Sequence, residues 1–236
     1  MKKRLLVLGL AFTMFAATAC GTSSDGGNKT SNSDKTSETQ KNDDKKDDAK
    51  ESYKSADDIT MDDLKNHEET PADDFEYGEG PNDSIVIDGY TGEDPIVVIP
   101  NEIDGKKVVD FGRMFTNNKD VVAIKVGDNV EDIMENAFTN CDNLKYIVFG
   151  KNVKVINDGL LGGSKIEQIE FNDGLEKLGS NVSGVGLKSK IDVSIPESVT
   201  EMTFRGAKTL IVKSGSYAES YAKEYADKLG MAYKVE

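Results

Sequence analysis

Few residues in this chain carry reactive chemistry, and their positions limit what that chemistry could be. The 236 residues include one histidine, His67, two cysteines, Cys20 and Cys141, and no tryptophan. A cysteine nucleophile needs a base within hydrogen-bond reach. No histidine lies anywhere near Cys141 in sequence, so Cys141 reads as a small buried ladder residue. His67 sits in an acidic, polar stretch and reads as a solvated side chain, because catalysis needs a group held in place. Residues 179–189, GSNVSGVGLKS, have the glycines of a phosphate loop, but Val185 follows Gly184 where that motif needs lysine. Asp128, Asp142 and Asp173 lack the alternating acids and terminal Glu of a calcium loop. Acids are plentiful enough for a glycosidase pair, yet no spacing sets two of them across a cleft. No catalytic residue, metal or cofactor is therefore expected. The net charge of −14, from 29 basic and 43 acidic residues, excludes nucleic acid as the expected partner, since phosphate binding needs a basic footprint.

Cys20 stands in a patterned segment. Residues 1–20 read MKKRLLVLGLAFTMFAATAC: a basic start, an apolar run over residues 5–17, small residues, then the cysteine. That run is shorter than the ~20 residues a helix needs to cross a hydrocarbon core, and the order of its parts is that of an export signal. The segment resembles the lipobox of bacterial lipoproteins, with Ala17 where that family prefers Leu. The resemblance implies a signal peptide over residues 1–19 and a diacylglyceryl group on Cys20 as the mature N-terminus. It also implies a protein held on the outer face of a bacterial cell membrane. Cys141 is then a lone thiol, and no disulfide framework is expected.

Residues 20–74 read as a disordered acidic tether beginning at the lipidated cysteine. Residues 21–80 carry 8 lysines and 18 acids with sparse, unpatterned apolar residues. Such sequence cannot bury enough surface to offset chain entropy. Within it, Thr60 and Asp63 have capping-box spacing beside Ile59, Met61 and Leu64, which allows a short nascent helix between residues 56 and 69.

The strongest pattern is an internal repeat. Ile124, Ile147, Ile169 and Val193 recur at 22–24-residue intervals. Two residues beyond each stand Val126, Phe149, Phe171 and Ile195. Val130, Val153, Leu175 and Val199 follow at six, and Ile133, Ile156, Leu178 and Met202 at nine. Apolar residues two apart place two side chains on one face of a short strand. The pair at six and nine belongs to a second segment opposite the first. One such turn cannot bury its apolar face, so successive turns must stack at strand spacing, with like side chains piled in columns.

Residues 133–147, IMENAFTNCDNLKYI, resemble the unit of the BspA-like leucine-rich repeat of bacterial surface proteins. The match is carried by Ala137, Phe138, Cys141, Leu144 and Ile147, with Ile99-Pro100 and Ile195-Pro196-x-x-Val199 elsewhere. Gly127, Gly150 and Asn172 depart from the family's proline, and Leu160, Leu161 and Ser164 replace Ala-Phe and Cys in a later turn. Irregular loops are therefore expected around residues 162–163 and 179–186. The resemblance implies a leucine-rich-repeat solenoid over residues 75–236, made of short β-strands stacked in coils. It also implies a non-catalytic adhesion or protein-binding role.

A solenoid needs its ends covered. Ile85 and Ile87 suggest a capping strand or hairpin. Ser216 and Glu219 open a capping helix whose docked stripe is expected to be Tyr217, Tyr221, Tyr225 and Leu229, with Gly230 ending it and Met231, Tyr233 and Val235 forming a last strand. Between the inward positions, Ala123, Lys125, Tyr146, Val148, Gln168, Glu170, Asp192 and Ser194 point outward. Tyr146, Val148, Gln168 and Glu170 are the expected contact patch for a partner, another protein or an extracellular or wall component. Two alternatives share the anchor. One is a solute-binding lipoprotein of a transport system, which needs two α/β lobes around a cleft. The other is a wall-associated hydrolase using a carboxylate pair.

Overall fold

A computed structural model describes residues 55–180 and 191–236. The signal segment 1–19, Cys20, most of the tether and residues 181–189 of the glycine-rich loop lie outside the described residues.

The first element was expected within the tether. Helix α1 (Met61–Asn66) has the full capping box: Thr60 Oγ1 accepts from the Asp63 amide, and the Asp63 carboxylate accepts from the Thr60 amide at 2.8 Å. Six residues are far below the ~12–15 at which an isolated helix becomes marginal. The helix persists because Ile59, Met61 and Leu64 are buried against the folded unit. The ordered unit thus begins before residue 75, which corrects the tether's extent.

Strands β1 (Phe75–Glu79) and β2 (Ile85–Tyr90) pair antiparallel, as the expected hairpin. After β3 (Ile96–Val98), a second hairpin of β4 (Glu102–Ile103) and β5 (Lys106–Asp110) adds to β2, so the amino-terminal cap is a sheet in the order β1-β2-β5-β4. The repeats follow: β6 (Ala123–Lys125) and β7 (Asp132–Ile133), β8 (Tyr146–Val148) and β9 (Val155–Ile156), β10 (Gln168–Glu170) and β11 (Lys177–Leu178), β12 (Asp192–Ser194) and β13 (Glu201–Met202). The chain closes with β14 (Thr209–Val212), α2 (Tyr217–Tyr225) and β15 (Ala232–Val235).

Two parallel sheets enclose the core, ordered β10-β8-β6-β3 and β13-β11-β9-β7. Their register is that of the repeat: Val97, Ile124, Ile147 and Ile169 form one column, and Ile133, Ile156, Leu178 and Met202 another. Fifteen of the sixteen repeat positions are buried, and Phe171 is half-buried with its ring stacked on Phe149, centroids 5.6 Å apart. The first column does not run unbroken. Val193 pairs with Leu210 rather than Ile169, because β12 belongs to a third sheet ordered β12-β14-β15.

The turn over residues 157–164 is regular, against expectation. Gly163 has φ 85°, matching the left-handed Asn117 (62°) and Asn140 (58°) at the same place in the two preceding turns. Asparagine tolerates that region and glycine adopts it freely, so the glycine preserves the turn. The Asn140 amide nitrogen also donates across turns to the Gly162 carbonyl at 2.6 Å.

The closing helix docks by a different stripe from the one expected. Ala218, Ala222 and Ala226 are buried, Tyr221 and Leu229 half-buried, and Tyr217 and Tyr225 exposed. Alanines four apart let the helix backbone approach the stack closely. Tyr221 remains at the edge of the contact, its hydroxyl donating to the Phe204 carbonyl at 2.9 Å.

Candidate functional site

Pairing register defines the outward face of the β10-β8-β6-β3 sheet. One outward column runs Ile96, Ala123, Tyr146, Gln168, and the other Val98, Lys125, Val148, Glu170. Both begin apolar and end polar. Ile96 and Val98 lie on β3, whose three residues are all buried, so this strand is covered on both faces. The cover is α1: Ile59, Met61 and Leu64 form one buried cluster with Ile96, Val98, Val122, Ala123 and Tyr146, and Val148 packs at its margin.

This arrangement divides the expected contact patch. Tyr146 is only 9% exposed and Val148 is half-buried, so neither is the open contact residue the sequence suggested. The Tyr146 hydroxyl donates to Glu167 Oε2 at 3.2 Å, and burial, then the Glu167 charge, raises its pKa. Gln168 is exposed on the same face, and Glu170 is half-buried beside it with its carboxylate 2.5 Å from Lys65 of α1. Asp192 and Ser194 are exposed on the adjoining sheet. The accessible strip is therefore polar, and the apolar part of the face is occupied by the chain's own helix.

Beyond α1 the covering segment changes character. Thr70 is buried and exchanges two hydrogen bonds with β3: its amide donates to the Val98 carbonyl at 3.0 Å, and its hydroxyl accepts from the Val98 amide at 2.9 Å. Glu69 Oε1 accepts from the Asn101 side chain at 2.8 Å. These bonds satisfy polar groups on an edge strand that would otherwise be open to pairing. At the other end of the segment, Lys145 holds Asp57 at 2.5 Å, and that hydrogen bond, then the lysine charge, lowers the Asp57 pKa. His67 lies between these attachments, Nε2 3.7 Å from Asp94 Oδ2.

The remaining reactive candidates have structural partners. Cys141 is buried, and its thiol donates to the Phe115 carbonyl at 2.9 Å. One turn later Ser164 does the same for Phe138 at 2.8 Å. Position 141 therefore calls for a small donor that satisfies a buried carbonyl, which is why Ser replaces Cys without disturbing the turn. Burial pushes the Cys141 thiol up to about 11, so it stays protonated at neutral pH and is a poor nucleophile. Peptide-mapped iodoacetamide labelling at pH 8 is expected to leave Cys141 unmodified in the native protein and to label it fully in guanidinium. Cys141→Ser is expected to be nearly neutral in denaturant titration. Cys141→Val is expected to cost about 1 kcal/mol, because the Phe115 carbonyl loses one of two donors and keeps the Asn118 amide at 2.9 Å.

Two of the three acids considered for calcium, Asp128 and Asp142, serve as inter-turn ties. Asp142 accepts Lys119 at 2.6 Å and Asp128 accepts Lys151 at 2.6 Å. The Lys119 hydrogen bond lowers the Asp142 pKa; at Asp128 burial pushes upward, and the hydrogen bonds and charge of Lys151 outweigh it. Among the described residues no group of three or more His, Cys, Asp or Glu is placed to hold a metal. A depression bounded by Pro81, Lys106, Asp110 and Glu131 contains several carboxylates. Lys106 bridges Asp83 and Glu79 there, and Asp110 accepts from the Gly112 amide at 2.9 Å.

The described residues form a single stack and not the two lobes a solute-binding lipoprotein would need. Short parallel strands in register, one set per turn of the 22–24-residue repeat, define a leucine-rich-repeat solenoid. Residues 112–208 match the family described as the BspA type leucine rich repeat region, in six copies.

Several solved structures resemble the chain. A leucine-rich-repeat protein from T. pallidum is 28% identical, with a TM-score of 0.49 over 61% of this chain and 71% of its own. One from Bacteroides ovatus is 19% identical, with a TM-score of 0.49 over 71% and 52%. A leucine-rich cell surface protein from Faecalibacterium prausnitzii is 15% identical, with a TM-score of 0.32 over 62% and 55%. No curated protein matches the chain.

Proposed function

We propose that this protein is an exported, lipid-anchored surface protein whose solenoid is a non-catalytic module for binding another protein or a wall component. The observation that carries this reading is the outward face of the strand sheet. Register fixes Gln168 and Glu170 at strand spacing on the β10 edge of that sheet, and Asp192 and Ser194 are presented by β12 of the adjoining sheet one turn on. Repeat proteins use extended surfaces of this kind for recognition. The lipobox-like segment ending in Cys20 supports the anchor, and the acidic stretch after it supports a spacer between membrane and stack.

Two measurements test the two halves of the proposal. Cys20→Ala is expected to move nearly all of the protein from the membrane to the soluble fraction, since the two acyl chains of a diacylglyceryl group supply the retention. Unchanged membrane retention would overturn the anchor. Affinity capture with detergent-solubilised full-length protein is expected to retain a partner that the paired variant Gln168→Arg, Glu170→Lys loses. Capture that ignores this substitution would move the binding surface elsewhere.

A further inference from the structure

The surface beneath α1 has the makings of a binding site already filled. It is apolar on the outward face of the sheet, while the uncovered remainder of that face is polar. Its occupant is a short amphipathic helix that cannot hold its shape alone. The occupant's charged ties reach solvent: Lys65 and Glu170 are each more than two-fifths exposed, and Asp57 is 87% exposed although its partner Lys145 is only 16% exposed. Solvent screens such pairs heavily. The attachment that closes the edge of β3 is made by Thr70, beyond the helix. Residues 55–66 can therefore leave the face without opening the bonds between Thr70 and Val98.

We propose that the face formed by Ile96, Val98, Ala123, Tyr146 and Val148 is a docking site for a short amphipathic helix of a partner protein. Residues 59–64 occupy it in cis as a competing internal ligand. The proposal rests on the reading of the stack as a protein-interaction module and adds to its polar strip a second site, with a partner class of its own. The resident segment specifies the partner's chemistry. It carries apolar side chains in the relative positions of Ile59, Met61 and Leu64, and an acid before them to meet Lys145. A partner of this kind gains the same buried contacts and is opposed only by the local docking of α1.

The probe is a fluorescein-labelled synthetic peptide of residues 55–69, titrated against the full chain and its Leu64→Asp variant. An aspartate at a fully buried position expels α1 from the face. The variant is expected to bind the peptide saturably and at least tenfold more tightly than the unmodified chain, and a peptide carrying Leu64→Asp is expected to bind neither. No saturable binding to a variant that keeps the parent's circular dichroism spectrum would overturn the site. Native-state hydrogen exchange on the unmodified chain keeps the proposal exposed if that variant fails to fold. The α1 amides are expected to exchange at least a hundredfold faster than those of β8, and equal protection would overturn it. A complex between variant and unmodified chains in light scattering would put a second copy on the face and overturn the assignment to a partner. Partner capture that survives while peptide binding fails would reject this site and leave the interaction role standing.

Discussion

Replacing Ile147 with Asp abolishes cooperative folding of the stack. Ile147 is fully buried, paired in register with Ile124 on one side and Ile169 on the other. Removing its apolar bulk costs about 2–5 kcal/mol through lost transfer energy and the cavity left behind. An uncompensated carboxylate adds several kcal/mol more, since no cation lines the column to receive it. The total is comparable with the whole stability of a typical domain, about 5–15 kcal/mol. The loss also spreads, because each turn of a solenoid is held by its neighbours. Thermal unfolding followed by circular dichroism is expected to show a single transition for the parent and none for Ile147→Asp. Ile147→Val, which keeps the shape of the column, is expected to cost only about 0.5–1.5 kcal/mol. A parent-like melting curve for the aspartate variant would remove the ladder as the source of stability.

The same periodicity explains how much of the fold was readable in advance. A strict repeat of apolar positions has one economical solution, and Ile124, Ile147 and Ile169 lie where that solution puts them. What escaped were features set by contacts between non-equivalent segments. The α1 segment is polar and acidic overall, and its buried apolar side chains are Ile59, Met61 and Leu64, with Ala56 packed at the margin. Its docking was nevertheless signalled by β3: Ile96-Val97-Val98 is apolar at consecutive positions, which marks a strand covered on both faces. Beginning the outward row at Ala123 left Ile96 and Val98 out, and with them the evidence that Tyr146 would be covered. The tyrosine stripe of α2 outweighed the alanines at 218, 222 and 226, although small residues four apart are the sign of close helix docking. β14 was missed because it follows β12 after 17 residues, from Val193 to Leu210, which is shorter than the repeat. The Cys141 position was recognised as a ladder site, but that Ser164 takes over its hydrogen bond required the carbonyl partners to be seen.

Gly150→Ala tests the closeness of the turns themselves. The family's proline is replaced by glycine at positions 127 and 150, and both replacements fall where backbone meets backbone. A Cβ on Gly150 would overlap the Gly127 carbonyl oxygen and lie 2.7 Å from its carbon and 2.9 Å from the Val126 carbonyl oxygen. None of these atoms belongs to a side chain that can swing away, so relief requires the two turns to separate and the adjoining β6–β8 pairing to strain. Two effects oppose each other. Restricting the unfolded chain favours alanine by about 0.4–1 kcal/mol where its conformation fits. Overpacking a rigid contact costs about 1–3 kcal/mol and occasionally more. The overlap here is with fixed backbone, so the second effect wins, with a net loss of about 1–2.5 kcal/mol expected in urea titration. Gly78→Ala is the matched control, because its Cβ would meet only the Asp88 carboxylate at an ordinary 3.7 Å. That variant is expected to match or slightly exceed the parent's stability. If Gly150→Ala behaved the same way, the turns would not be packed backbone on backbone at this corner.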